Sequence, residues 1–281
     1  HRRPPVRNEH RVVEMIKTQI SQHVATLTLN RPEKRNALTR DGIQAMARFI
    51  QEVKQSDSVR LLIIQGLGKA FCAGMDLAEM QNREAAENPE TEWEKDALEY
   101  NQLVSSLFSL PMPTLAVLQG PVLAGGVGIV LACDLVIAAK EAFIQLPEPM
   151  RGITAAMVCP LLLHRTSVST ASYLLLSGKR ITAETALGMG LIHELVDGTE
   201  LDGAKNTMVD SVLRGSPVAL SLTKSHLQKI AGEQVVSQIN YSIHESARAR
   251  ETKDAREGLA AFLEKRDPAW TINTDDGQSK P

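Results

Sequence analysis

Short blocks of apolar residues alternate with amphipathic stretches over the first half of the chain. Residues 23–30 alternate between apolar and polar with a period of two, which is typical of a β-strand with one face in a core. Continuous apolar runs indicate strands that are buried on both faces, at 59–65, 114–118 and 134–139. Helical periodicity over 40–55 and 93–110 separates these strands, and Thr39 is a suitable N-cap for the first helix. Strands that alternate with helices predict an α/β fold with a largely parallel sheet.

The pattern changes after about residue 153, where helical periodicity takes over. Helices are predicted at 155–163, 169–177, 182–189, 201–214, 217–231 and 235–264. The sequence therefore predicts a helical C-terminal region without a sheet of its own, and it shows no internal repeat. Residues 1–11 are basic and contain proline, and residues 271–281 are polar, so both ends are expected to be disordered.

Composition excludes several classes of partner for this chain of 281 residues. A net charge of −2 and only 4% aromatic residues predict no nucleic-acid partner. No apolar stretch is long enough to span a bilayer, so no membrane partner is expected. Widely spaced Cys72, Cys133 and Cys159 predict neither a disulfide framework nor a metal site, and they favour a reducing compartment. A cytoplasmic location is expected, with a trimmed organellar leader as the alternative.

A glycine-rich turn follows the apolar strand at 114–118. Its sequence is Gly125-Gly126-Val127-Gly128, and a helix is predicted to begin there. Backbone N–H groups at such a helix start have no intrahelical partner, and they are suited to binding a phosphate or an oxyanion. The turn lacks both the G-x-G-x-x-G spacing of a dinucleotide fingerprint and the G-K-[ST] ending of a Walker loop.

A second glycine-containing turn, residues 71–77, follows the predicted strand 59–65. Ligands of parallel α/β sheets bind after the strands, so two such turns could direct two N–H groups at one oxygen, as in an oxyanion hole. The alternative is two ordinary turns that need glycine for tightness. Spacing alone favours this alternative.

Several segments together resemble the crotonase (enoyl-CoA hydratase/isomerase) superfamily, over about residues 12–270. The matching segments, in the order of that family, are 29–38, 70–77, 120–134, 146–148 and 261–266. The resemblance implies a crotonase-type spiral of repeated ββα units over 12–200, which holds an acyl-CoA site, and a helical trimerisation region over 201–270. It also implies a homotrimer or homohexamer. Coenzyme A would enter as part of the substrate, with no further cofactor and no metal.

The resemblance also implies roles for particular residues. The backbone N–H groups of Met75 and Gly125 would hold the thioester oxygen of an acyl-CoA, and Glu148 would transfer the proton. The apolar segment 142–144 before Glu148 is expected to desolvate this carboxylate and to raise its pKa. Residues implied to contact CoA or the acyl group are Lys34, Arg35, Ala37, Ala73, Gly74, Asp76, Leu77, Gly126, Gly128, Arg151, Phe262 and Lys265.

Two of these charged residues have alternative roles. Arg151 could bind a carboxylate of a glutaconyl-type acyl group, or it could belong to a structural ion pair. Asp76 is expected to fix the backbone of the turn 71–77.

Gly128 departs from the pattern of the two-carboxylate hydratases, which carry a glutamate three residues after the oxyanion glycine. Glycine transfers no proton, and a single base suffices to shift a double bond. Branches of the family with similar Gly-Gly-Val-Gly and Pro-Glu patterns are nevertheless hydratases of branched or carboxylated enoyl-CoAs. We therefore place hydration of an enoyl-CoA first and Δ3-Δ2 enoyl-CoA isomerisation second, and acyl-CoA decarboxylation or non-catalytic acyl-CoA binding stay open. Gly128 is expected to leave room for a larger acyl group or an ordered water.

Overall fold

The computed structural model of the protein describes residues 15–272. Its strands are β1 Ile16–Ser21, β2 Val24–Leu29, β3 Leu61–Gly66, β4 Thr114–Leu118, β5 Val122–Leu123, β6 Leu135–Ala139, β7 Phe143–Gln145, β8 Ile181–Thr182 and β9 Glu194–Val196. Its α-helices are α1 Arg40–Gln55, α2 Leu77–Glu84, α3 Pro89–Phe108, α4 Gly125–Ala132, α5 Cys159–Arg165, α6 Val168–Ser177, α7 Ala183–Gly188, α8 Leu201–Arg214, α9 Pro217–Leu227, α10 Val235–Arg250 and α11 Lys253–Glu264. Short 3₁₀ turns lie at Pro32–Lys34, Glu148–Arg151 and Gly198–Glu200, and a π-helical turn lies at Gln228–Gly232.

Two sheets organise the described part of the chain. The larger sheet has the strand order β1-β2-β3-β4-β6-β9, and the smaller sheet has the order β5-β7-β8. The pairs β1–β2 and β7–β8 are antiparallel, and the other neighbouring strands are parallel. The prediction of a largely parallel α/β sheet is therefore confirmed.

Successive segments of the chain give one strand to each sheet. Strand β4 is followed by β5 and then α4, and β6 is followed by β7 and then a 3₁₀ turn. The segment after β3 behaves in the same way, because Cys72 forms an isolated parallel bridge with Val122 of β5. This repetition is the ββα spiral that the family resemblance predicts.

Both faces of the larger sheet are covered. Leu62 and Ile64 of β3 pack in the main core, which includes buried residues of α1, α3 and α4. Leu61 and Ile63, on the opposite face of the same strand, pack in a second core with Leu201 of α8. Burial on both faces explains why the central strands are continuous apolar runs without polar alternation.

The sequence predicts several elements of this fold with correct bounds. Helix α1 covers the predicted residues 40–55, and the Thr39 hydroxyl oxygen accepts a hydrogen bond from the Gly42 N–H at 3.0 Å. Strand β4 covers the predicted residues 114–118. Strand β1 is absent from the predictions because all but its first residue are exposed and its hairpin turn, Gln22-His23, lacks the usual Asn-Gly or Asp-Gly signal.

The predicted helical region after residue 153 has no sheet of its own, but it also contains two short strands that the sequence did not indicate. Strand β9 pairs with β6 at the edge of the larger sheet, and β8 pairs with β7 in the smaller one. Both strands are too short for a period of two to be recognised in the sequence. The predicted helix 235–264 is two helices, because Thr252 caps α11 by accepting a hydrogen bond from the Ala255 N–H.

The predicted disordered ends, 1–11 and 271–281, lie outside the described residues except for Thr271 and Ile272. Within residues 15–272, no helix combines the length and the hydropathy that crossing a membrane requires.

Asn36 joins two loops that border the candidate site. Its amide nitrogen donates to the carbonyl oxygens of Leu67 at 2.9 Å and Ala70 at 2.8 Å, and its side-chain oxygen accepts from the Arg31 N–H at 2.9 Å. The side chain is buried, and the backbone has a φ of 55°, a left-handed conformation that asparagine adopts more readily than most residues. Asn36 therefore fixes the loop that carries Ala37.

We expect Asn36→Ala to lower the free energy of unfolding by about 2–3 kcal/mol, because it leaves buried polar groups unpaired and because alanine is less stable than asparagine in a left-handed conformation. Urea unfolding of the variant measures this loss. Asn82→Ala is the matched control, since Asn82 is exposed on α2 and its replacement should stay within about 0.5 kcal/mol. Equal stabilities of the two variants would contradict the role of Asn36.

Candidate active site

The first residue of α4 lines a cavity and has a free backbone N–H group. Gly125 is the first residue of this helix, and its N–H has no hydrogen-bond acceptor among residues 15–272. The preceding residue, Ala124, has φ 50° and ψ −126°, a backbone conformation that glycine normally occupies. Such strain is found preferentially at functional sites, where it contributes to the orientation of backbone groups.

The turn 71–77 packs directly against the start of α4. Gly74 has a φ of +83°, and a Cβ there would lie 2.6 Å from the Ala124 Cβ and 3.3 Å from the Gly125 nitrogen. Only a glycine allows the two turns to approach this closely. The two turns therefore lie side by side, an arrangement that their spacing in the sequence alone did not favour.

Met75 also has a free N–H group. Its bridge to Leu38 uses the carbonyl of Gly74 and the N–H of Asp76, so the Met75 N–H points away from Leu38. It has no acceptor in the described part of the chain. Met75 and Gly125 line the same cavity, and each has an N–H group without an acceptor among the described residues.

Asp76 holds the end of the turn in place. Its Oδ1 accepts hydrogen bonds from the N–H groups of Ala78 at 3.1 Å and Glu79 at 3.3 Å, which makes it the N-cap of α2. Its Oδ2 lies 3.1 Å from Nη1 of Arg31. The expectation that Asp76 fixes this backbone is confirmed.

Glu148 is a buried carboxyl group in the same cavity, with a residue exposure of 6%. Its Oε2 atom is buried and has no hydrogen-bond partner among the described residues. Desolvation raises the pKa of Glu148 to about 7, and the opposing effects of its own backbone N–H and of the Arg151 charge are smaller. The predicted rise in pKa is therefore confirmed. A carboxyl group with this pKa both accepts and returns a proton near neutral pH.

The three residues occupy equivalent places in the fold. Each of the three residues comes shortly after its unit contacts the smaller sheet: Met75 after the Cys72 bridge, Gly125 after β5 and Glu148 after β7. All three line one cavity of about 60 Å³. The spiral thus brings two backbone donors and one carboxyl group together from three segments that are well separated in the sequence. The remaining walls are mostly apolar, with Leu77, Met80, Ile153, Ala155, Ala156, Met157 and Val158 among the lining residues.

The space beside Gly128 is filled by Tyr100, contrary to the expectation of room for an acyl group or water. A Cβ at position 128 would lie 2.1 Å from the Tyr100 hydroxyl oxygen. This hydroxyl donates a hydrogen bond to the Gly125 carbonyl at 2.5 Å. Burial raises the pKa of Tyr100 well above its ordinary value, and the nearby Glu148 carboxylate acts in the same direction. The group beside Gly128 is therefore a neutral phenol.

A larger groove of about 640 Å³ lies next to the cavity and shares Met75, Leu77 and Arg151 with it. Eight of the residues predicted to contact CoA or the acyl group line this groove: Lys34, Arg35, Ala37, Ala73, Asp76, Leu77, Arg151 and Phe262. The groove has basic groups along it, as a ligand with phosphates requires.

Four predicted contact residues line neither the cavity nor the groove. Gly126 is buried against Cys72, Gly128 lies under Tyr100, and Gly74 permits the close approach of the two turns. These glycines therefore act in packing. Lys265 is exposed at the C-cap of α11, and the neighbouring Arg266 lines the groove instead.

The sequence did not indicate three polar residues of the cavity wall. Tyr100, Asp96 and Arg250 lie on α3 and α10 and line the cavity with Glu148. In the sequence they are members of helical patterns, and their proximity to the glycine turns depends on packing between helices. The one available signal for Asp96 and Arg250 was a charged residue at a position where the helical pattern predicts burial.

We expect Gly128→Ala to cost about 1–3 kcal/mol of stability, because the new methyl group overlaps the Tyr100 hydroxyl. The same substitution in a Tyr100→Phe background should cost less, since the overlapping oxygen is absent. Urea unfolding of the wild type, both single variants and the double variant measures this coupling. An identical cost of Gly128→Ala in the two backgrounds would show that Tyr100 does not fill this space.

Known proteins resemble this chain over most of its length. It matches the enoyl-CoA hydratase/isomerase family over residues 19–273. It is 29% identical over 245 residues to the short-chain-enoyl-CoA hydratase of Clostridium acetobutylicum, with 86% of this chain and 92% of the relative covered. It is also 29% identical over 261 residues to the 1,2-epoxyphenylacetyl-CoA isomerase of Escherichia coli, with 92% and 99% covered.

Solved structures show the same architecture. The crystal structure of an enoyl-CoA hydratase from Mycobacterium avium has a TM-score of 0.81 and 31% identity, and the match covers 92% of this chain and 99% of that chain. This similarity confirms the predicted crotonase-type fold. The chain belongs to the enoyl-CoA hydratase/isomerase family.

Proposed function

We propose that this member of the family shifts the double bond of an enoyl-CoA from the β,γ to the α,β position, with Glu148 as its base. The observation that supports the proposal most strongly is the buried Glu148 carboxyl group, with a pKa of about 7, in the same cavity as two unpartnered N–H groups. A base near neutral pKa and a pair of fixed donors are the two requirements of enolate chemistry.

The backbone donors of Met75 and Gly125 would bind the thioester oxygen of the substrate. Negative charge grows on this oxygen as the enolate forms, so fixed donors stabilise the transition state more than the ground state. The two donors need not move during the reaction, because the close contact between Gly74 and Ala124 fixes the two turns relative to each other.

The proton transfer uses one carboxyl group in both directions. The Glu148 carboxylate removes a proton from the α-carbon of a β,γ-enoyl thioester, and the electron pair of that bond moves through the carbonyl to give a dienolate. The protonated Glu148 then delivers the same proton to the γ-carbon, and the thioester carbonyl forms again. The product is the α,β-enoyl thioester, and Glu148 is again a carboxylate.

Hydration of an α,β-enoyl-CoA is the second candidate. A relative named as a short-chain-enoyl-CoA hydratase favours it. Hydration requires a bound water. The two-carboxylate hydratases described in the sequence analysis also use a second glutamate, at the position that Gly128 occupies here. Here the Tyr100 hydroxyl occupies that space. For this reason we place isomerisation before hydration, although the sequence analysis placed hydration first.

The other two alternatives explain less of the site. Decarboxylation needs the N–H donors and no base, so it leaves the burial of Glu148 without a role. A binding protein without activity would not need a desolvated carboxyl group. In the proposed reaction, coenzyme A is part of the substrate and no further cofactor takes part.

We also propose that the protein assembles as a homotrimer or homohexamer. The helical region 201–270 leaves large apolar side chains exposed, namely Val218, Leu222, Leu227, Ile230 and Tyr241. Apolar surface of this kind is typical of protein interfaces.

We expect Glu148→Gln to lower kcat for a β,γ-enoyl-CoA by about 10²–10⁴-fold, because the amide cannot transfer the proton, while KM stays within a few-fold. The rise in ultraviolet absorbance of the conjugated thioester measures the reaction. Glu141→Gln is the matched control, since Glu141 is exposed on the loop before β7. Wild-type turnover in Glu148→Gln would remove Glu148 from the mechanism.

The rate should also depend on pH through Glu148. Its carboxylate is the active form, so kcat/KM for the β,γ-enoyl-CoA should fall as pH drops below about 7. The Arg151 charge lowers the pKa of Glu148, so Arg151→Gln should move this fall to higher pH. A kcat/KM that stays constant from about pH 5.5 to 8 would contradict a base with this pKa.

A further inference from the structure

We propose that Tyr100 is a positioning residue, which holds the first turn of α4 so that the N–H group of Gly125 is fixed for binding the thioester oxygen. The inference rests on the part of the proposed function that places this oxygen at Gly125, and it does not depend on which bond of the acyl group then changes. Tyr100 acts through the backbone of Gly125 and transfers no proton itself.

The first turn of α4 has little stability of its own. Three of its first four residues are glycines, at 125, 126 and 128, and glycine is the weakest helix former after proline. The N-cap residue, Ala124, has no side-chain acceptor for the first N–H groups, and no acidic residue lies in the first turn. The conformation of this turn therefore depends on contacts with other elements.

Tyr100 supplies such a contact from α3. Its ring lies against Gly125, because a Cβ at that position would be 3.3 Å from Cε2 and 3.5 Å from Cζ of Tyr100. Its hydroxyl group lies over Gly128 and donates to the Gly125 carbonyl at 2.5 Å. Glycine has more backbone freedom than any other residue, and the ring contact and the hydrogen bond together restrict this freedom at Gly125.

The hydroxyl proton of Tyr100 is committed to this hydrogen bond. Among residues 15–272, the Gly125 carbonyl is the only hydrogen-bond partner of the hydroxyl group. Burial raises the pKa of Tyr100 well above its ordinary value, so the group stays a neutral phenol with a single proton to donate. Because that proton is directed at the backbone, Tyr100 orients the Gly125–Gly126 peptide and has none left for a substrate.

Tyr100 projects from a firmly held part of α3. Leu103 of the same helix packs in the main core, and Asp96, one helical turn before Tyr100, is buried between two arginines. Arg40 donates from Nε to Oδ1 of Asp96 at 2.7 Å, and Nε of Arg83 lies 2.8 Å from Oδ2. These ion pairs tie α3 to α1 and α2, so Tyr100 contacts α4 from a fixed position.

Packing alone does not explain a tyrosine at this position. A phenylalanine would fill the same space apart from the oxygen, and burial of a hydroxyl group is unfavourable unless a hydrogen bond compensates for it. Tyr100 is only 3% exposed, and its compensating bond goes to the residue whose N–H group is proposed to bind the thioester oxygen. The hydroxyl group therefore acts on the candidate oxyanion site.

We expect Tyr100→Phe to lower kcat for a β,γ-enoyl-CoA by about 3–10-fold and to leave KM within about twofold, because the bond to Gly125 is lost while the groove for CoA is unchanged. The ultraviolet absorbance of the conjugated thioester measures both constants. Tyr173→Phe is the matched control, since Tyr173 is 44% exposed on α6 and lines neither the cavity nor the groove. Wild-type kcat in Tyr100→Phe would overturn the proposal.

A spectroscopic measurement separates positioning from a loss of stability. Infrared spectroscopy of bound butanoyl-CoA with a ¹³C-labelled carbonyl group reports the hydrogen bonds to the thioester oxygen. In Tyr100→Phe the carbonyl band should be broader and at higher frequency than in the wild-type complex, because the Gly125 N–H group takes several orientations. A band of unchanged width and frequency would overturn the proposal, whatever the free energy of unfolding of the variant.

Gly128→Ala gives an independent test, because its methyl group would displace the Tyr100 hydroxyl. We expect it to broaden the carbonyl band in the wild-type background and to cause no further change in Tyr100→Phe, where the hydroxyl group is already absent. Equal broadening by Gly128→Ala in the two backgrounds would show that the Tyr100 hydroxyl does not hold the turn, and this would overturn the proposal.

The carbonyl band and the turnover together separate this inference from the proposed reaction. A band that depends on Tyr100, without turnover of any β,γ-enoyl-CoA, would support the positioning role and contradict the reaction. Turnover by the wild type, with the same kcat and the same band in Tyr100→Phe, would support the reaction and overturn the positioning role.

Discussion

The close contact between the turn 71–77 and the start of α4 is the constraint on which the rest of the site depends. Gly74 has no Cβ, so its backbone reaches the Ala124–Gly125 peptide at a distance that any other residue would prevent. The free N–H groups of Met75 and Gly125 belong to these two segments, and their common cavity follows from the contact. Donors stabilise an enolate most effectively when they are already in place before the negative charge develops.

The spiral fold explains why a carboxyl group reaches the same place. Two ββα units give a strand to each sheet, and the unit of β3 reaches the smaller sheet through the Cys72 bridge. Residues that follow these three points line one cavity. Glu148 comes from the third unit, where burial and a stiff Pro147–Pro149 backbone hold its side chain inside. The same burial that orients the carboxyl group raises its pKa towards neutrality, so position and reactivity have one cause.

Much of this arrangement could be predicted from local sequence signals. Local interactions determine several features: Thr39 caps a helix, the apolar run 114–118 forms a strand, and the glycines at 125 and 126 form a turn. Tyr100 and Arg250 could not be assigned in this way. Their positions beside Gly128 and near Glu148 depend on how α3 packs against α4 and how α10 packs against α3, which no local pattern describes. Strand β9 has three residues, and its pairing with β6 decides its conformation.

The central claim is that two amide groups bind one thioester oxygen. Infrared spectroscopy of a saturated acyl-CoA with a ¹³C-labelled carbonyl group, bound to the protein, tests it most directly. If both N–H groups donate to this oxygen, the carbonyl stretching frequency is lower in the complex than in water, and the decrease is lost in Gly74→Ala, where the two turns are forced apart. A frequency that is the same in the wild-type complex and in water would contradict the claim.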